Sequence, residues 1–177
     1  MLDNKRINEA KTNMKSYLAD KLIIKQAFSQ VVFNTYMRNH KESLELSEHV
    51  YNNNLSNLWT IVTSYYSMFY IANAVLHKLG FKVGAKLAHK VTADALIELV
   101  RDKLKKSLLE DYESIKEEAM EIAKIKADEI IDSFDKERTK RSIFQYETTE
   151  EIKSAKARTS FQRAKEFGLE MHKILEE

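Results

Sequence analysis

The sequence predicts an all-α protein, a compact helical bundle, on three observations. Its 177 residues include no proline and only three glycines, so little interrupts helix. Apolar residues recur at steps of three and four along most of the chain. The stretch Tyr51 to Leu76 carries no Asp, Glu, Lys or Arg in a chain that is 32% charged, which marks it as a buried central helix. A length near 177 residues fits one domain with a substantial core.

Each segment follows from its pattern. Asp3 is available as an N-cap for a peripheral helix reaching Leu18, with Ile7, Ala10, Met14 and Leu18 on one stripe. The core begins near Ala27. There a long amphipathic helix carries Phe28, Val32, Tyr36, His40, Leu44, Ser47 and Val50 inward, with Lys41, Glu42, Glu45 and Glu48 facing water. Asn52, Asn53 and Asn54 favour local side-chain bonds and end it in a short loop, so the central helix returns antiparallel. The central stripe reads Leu55, Leu58/Trp59, Val62, Tyr65/Tyr66, Phe69, Ala72 and Leu76, with Trp59, Val62, Tyr66 and Phe69 expected inside, backed by small polar residues from Thr60 to Asn73, and Gly80 closes it as a C-cap. FKVGAK reads as a connection to a fourth helix from Ala88 to about Val100. Leu104 to Phe134 holds helical spacing as one long charged helix, or two joined by a kink, and the final helix starts near Thr149 with a seam of Ala157, Phe161, Ala164, Gly168, Met171 and Leu175.

Composition bounds function. Without cysteine there is no disulfide, thiolate nucleophile or Cys-based zinc site, and a cytoplasmic location is the expectation. No apolar leader opens the chain, and Ile61 to Leu76 falls short of the roughly 20 apolar residues of a membrane span, so no membrane partner is expected. A net charge of +2 gives no general pull toward nucleic acid, so such binding must come from a local patch. Glycine signatures of nucleotide-binding and hydrolase folds are absent, no cofactor is expected, and no His-Glu-x-x-His pair marks a metal site.

The best functional candidate is the basic cluster Lys136 to Arg141 beside Phe144 and Tyr146, where Arg138, Lys140 and Arg141 would hold phosphate oxygens and the aromatics would stack a base. A solvated helix end whose cations favour the C-terminal dipole is the plain alternative. His89, close in sequence to Lys86 and Lys90, would exchange a proton near neutral pH, although a lone histidine is more often structural. His40 lies on an apolar stripe and reads as a hydrogen-bonded core residue. Tyr65, Tyr66 and Tyr70 line either a pocket or the core, and Glu113, Glu117, Glu118 and Glu121 read as a solvated face.

The run SYYSMFYIANAVLHKLGF, the Lys86 to His89 element, the Arg-rich segment closed by Tyr146, and a last helix with Ala-Arg-Thr-Ser and Arg-Ala-Lys-Glu-Phe together resemble the HEPN superfamily (higher eukaryotes and prokaryotes nucleotide-binding), in its small stand-alone prokaryotic members. The resemblance implies a single domain with an antiparallel up-and-down bundle of four to five core helices, usually a homodimer. It also implies RNA or nucleotide binding, and in many members metal-independent ribonuclease activity beside a minimal nucleotidyltransferase partner in toxin–antitoxin systems. Active members carry Arg-x4-6-His with a polar residue after the Arg. Here Arg141 and Ser142 match, but Tyr146 stands where His belongs, so the resemblance points to binding more than cleavage. The enzyme alternative places His89 as the missing base beside Arg141 and Tyr146. The remaining one is a helical module that only holds a protein partner.

Overall fold

In the computed structural model the chain is an all-α helical bundle with one small two-stranded ribbon. Residues 2–134 and 150–177 are described, with side chains described through 124 and again from 154. The helices are α1 (Asn4–Ala19), α2 (Gln30–Asn52), α3 (Asn57–Lys78), α4 (Ala88–Leu99), α5 (Lys106–Phe134) and α6 (Glu150–Glu176). Strands β1 (Ile23–Lys25) and β2 (Phe81–Val83) pair antiparallel, Ile24 opposite Lys82.

The helix ends follow local chemistry. Asp3 caps α1 by accepting the Arg6 amide at 2.8 Å, and Ser56 caps α3 by accepting the Trp59 amide at 3.3 Å. After α2, Asn54 takes the left-handed conformation at φ 51°, one of the few non-glycine residues that does so readily. Gly80 ends α3 at φ 85°, its amide donating to the His77 carbonyl, while its own carbonyl accepts from Gln26 and starts the ribbon.

That ribbon replaces the plain connection expected after Gly80. A three-residue strand leaves too little period-two pattern to read, and β1 and β2, with residues 26–80 between them, are defined by each other rather than by local sequence. Ile23, the first residue of β1, is fully buried.

α3 is the centre of the bundle and packs on α2, α4, α5 and α6. Its buried set is wider than the expected stripe. Val62, Tyr65, Ala72 and Leu76 of that stripe are inside, and so are Ile61, Met68, Ile71 and Val75 beside it, whereas Trp59 is 55% exposed and Tyr66 and Phe69 are half-buried. The reason is that helices cover α3 on its small polar side too, and hydrogen bonds make that burial tolerable. Ser47 Oγ of α2 lies 2.7 Å from Ser64 Oγ, and Asn73 donates to Thr92 Oγ1 of α4 at 3.2 Å. Small residues here let helix axes approach, as do Ala157, Ala164 and Gly168 on α6.

α1 lies along α4 and buries Ala10, Met14 and Tyr17. A charged network fastens it: Arg6 Nη2 lies 2.6 Å from Asp94 Oδ1 of α4 and 2.6 Å from Glu113 Oε1 of α5. Asp94 Oδ2 accepts from Tyr17 at 2.8 Å and from Asn13 at 3.0 Å, with the Asp94 side chain wholly buried. α5 continues unbroken to Phe134, as the single long helix of the two expected forms. No helix among the described residues is long and apolar enough to cross a membrane.

Candidate functional site

His89 is the described site residue with the most developed surroundings. It sits in the first turn of α4, which Leu87 opens in the left-handed conformation at φ 55°. The Tyr65 hydroxyl of α3 lies 2.7 Å from His89 Nδ1. The imidazole centroid is 4.7 Å from that of Phe69, 5.5 Å from Tyr65 and 5.9 Å from Tyr66. Helical spacing explains the grouping, because Tyr65, Tyr66, Phe69 and Tyr70 occupy adjacent turns of one α3 surface, over which the start of α4 lies.

The site is graded from dry to wet. Tyr112 of α5 is fully buried behind Tyr65 at 5.9 Å between centroids and packs in turn against Phe167 of α6 at 5.4 Å, the rings tilted by 31°. Burial pushes both tyrosine hydroxyls well above the ordinary phenol value, so they stay protonated as hydrogen-bond groups. His89, Tyr66, Phe69 and Tyr70 are half-buried and reach the surface. Burial lowers the His89 pKa below that of a free imidazole and the Lys116 charge of α5 adds to the shift, so the ring is neutral at pH 7. A neutral imidazole held by one nitrogen, with aromatic faces beside it and a lysine close by, is able to stack a planar ligand, donate or accept one hydrogen bond, and take up a proton.

Of the other sequence-derived candidates, Lys86 is exposed just before α4. Arg138, Lys140, Arg141 and Tyr146 lie outside the described residues, and so does the proposed closeness of His89 to Arg141. The tyrosine-rich face divides between the two readings open to it, with Tyr65 in the core and Tyr66 and Tyr70 half-exposed. The glutamates of α5 also divide. Glu117 and Glu121 are exposed, but Glu113 binds Arg6 and Glu118 lies 2.9 Å from Lys156 of α6.

No family model, curated protein or solved structure matches this chain.

Two open cavities lie away from His89. One, of about 430 Å³ between α5 and α6, is bordered by Glu117, Glu118, Lys156 and Arg163. Arg163 already pairs there with Asp111 at 3.0 Å. The other, of about 570 Å³, is lined by α2 residues including His40 and Leu44 and by His172 of α6. His40 is a buried, hydrogen-bonded histidine as its stripe predicts, its Nδ1 3.0 Å from the Ser67 carbonyl oxygen. Among the described residues no group of three or more His, Cys, Asp or Glu converges as metal ligands would.

Sequence reasoning missed Tyr65 as the partner of His89, and Asp94 as a buried anchor. Tyr65 carries no signal separating it from its neighbours, since a change of one helical position turns a wet ring into a dry one. Asp94 did leave one: a single acid within the apolar run Val91 to Ile97.

Proposed function

We propose that the chain is a HEPN-like RNA- or nucleotide-binding protein whose described contact surface is the aromatic face around His89. The observation that carries the reading is the half-buried His89 ring, fixed by Tyr65 and set against Tyr66 and Phe69, with Tyr70 beside those two rings and Lys86 and Lys90 exposed on the adjoining chain. Exposed aromatic faces stack unpaired bases at about 1–3 kcal/mol each, and nearby lysines supply the sequence-independent attraction for phosphate. Arg138, Lys140 and Arg141 would extend that attraction, with Tyr146 as a further stacking ring. As the resemblance implies, the working form would be a single-domain homodimer, placed beside a minimal nucleotidyltransferase in a toxin–antitoxin or defence setting.

A metal-independent ribonuclease is the second reading, favoured by the protonation state of His89. A neutral imidazole is able to take the 2′-hydroxyl proton while that oxygen attacks the adjacent phosphorus, leaving a 2′,3′-cyclic phosphate and expelling the 5′-oxygen, which takes a proton from water to leave as a hydroxyl. Arg141 would then stabilise the charge gathering on phosphorus.

Incubating the protein with labelled single-stranded RNA in the absence of metal, and following retention and fragment length together, separates these readings. Retention without cleavage is the expected result, weakened in Arg141→Ala and in His89→Ala. Cleavage by the wild type that disappears in His89→Ala establishes the ribonuclease. RNA retained by no variant leaves a module that binds protein alone.

A further inference from the structure

We propose that His40 and His172 form a two-imidazole site for a borderline divalent transition metal, zinc being the type, where α2 meets α6. The inference is independent of the surface around His89. It rests on tautomer, approach and spacing.

The tautomer follows from the Ser67 carbonyl. Its oxygen can only accept and lies 3.0 Å from His40 Nδ1, and the Ser67 hydroxyl, which can accept or donate, lies 2.9 Å from the same nitrogen, so the tautomer with the hydrogen on Nδ1 is the one that satisfies both. Nε2 of a neutral imidazole is then a bare lone pair. A backbone carbonyl fixing one ring nitrogen while the other faces outward is the arrangement that orients histidine ligands in metal sites.

The lone-pair edge is aimed at α6. A methyl group built on Gly168 would stand 3.2 Å from His40 Cε1, tighter than side chains usually pack, and 3.6 Å from Nε2, so this edge of the ring lies against Gly168. His172 is one helical turn further along the same face and lines the same cavity of about 570 Å³, together with Met37, Leu44 and Glu45.

The spacing fits a shared ion. With metal–nitrogen bonds of about 2.0–2.1 Å, two imidazoles bound to one ion at angles from tetrahedral to trigonal have centroids roughly 5–6 Å apart. The His40 and His172 centroids are 5.6 Å apart, with planes at 61°. Arg38 and Lys41 border the cavity, but each is paired along α2, with Glu42 and Glu45 respectively, and Glu48 faces it as well. No net positive field therefore excludes a cation. With two protein ligands the remaining positions belong to water, and affinity rests on the imidazoles, which favour zinc, copper and nickel over magnesium and calcium.

The test uses the full chain without a polyhistidine tag, titrated with zinc chloride by calorimetry and with cobalt followed by its visible absorption. One zinc per chain is expected, with a rise in melting temperature and a cobalt spectrum showing nitrogen ligation. His172→Ala, a change at an exposed side chain, should leave the apo melting temperature in place while weakening zinc at least tenfold and abolishing the spectrum; His49→Ala, at another exposed histidine, should leave both unchanged. Zinc bound equally well by His172→Ala, stabilisation by magnesium equal to that by zinc, or no zinc uptake at millimolar concentration would each overturn the proposal.

Discussion

The Tyr65 hydroxyl is joined to His89 Nδ1 at 2.7 Å, linking a fully buried residue of the central helix to a ring that reaches the surface. Tyr65→Phe keeps the packing and removes one hydrogen bond, so it should cost about 1 kcal/mol in urea unfolding. Tyr65→Ala also opens a cavity and should cost about 3–5 kcal/mol. Equal losses for the two would mean that the hydroxyl, and not the ring, holds α3 to α4.

Arg6→Ala should destabilise more than its surface position implies. It leaves the Asp94 carboxylate, which has no exposed side-chain surface, without its cation, a loss of about 3 kcal/mol. Arg6→Met with Asp94→Leu removes both charges but leaves the Tyr17 hydroxyl and Glu113 without their partners, so only part of the stability should return. Urea midpoints of the single and double variants give the coupling directly, and additive losses would show that the two groups act separately.

Stability should fall below about pH 6.5, the pKa of an unperturbed histidine. Both His40 and His89 have lowered values in the folded state, chiefly through burial, so the unfolded chain binds protons first as pH drops. Unfolded minus folded proton number is then positive, and stability rises with pH across the window between each folded value and about 6.5, by up to about 1.4 kcal/mol per pH unit per histidine. Melting temperatures at pH 7.5, 6.5 and 5.5 should show the decline, with a shallower slope in His89→Gln. An unchanged slope would remove His89 from the account.

Gly168→Ala sets two effects against each other. Helix propensity favours alanine by about 1 kcal/mol, but the new methyl meets a His40 ring held by Ser67 and already in close contact. Overpacking of this kind costs about 1–3 kcal/mol, so a net loss is expected. A higher melting temperature in the variant would mean that the His40 ring yields freely.

The all-α class and most helix ends were legible from sequence because their causes are local. Absence of proline, steps of three and four, Asp3 as a cap and Gly80 as a stop each act within a turn or two of chain. His40 was legible as a core histidine for the same reason, lying on the stripe of its own helix. The inward face of α3 was not, because Trp59 and Tyr65 both satisfy helical spacing and only the directions from which α2, α4, α5 and α6 pack decide which of them is covered. The ribbon, the Arg6 to Asp94 pair and the Tyr65 to His89 bond likewise join positions far apart in the chain. Their partners are chosen by the packing of whole helices, whose free energy depends on surfaces that meet only after folding and that leave no periodic trace in either segment alone.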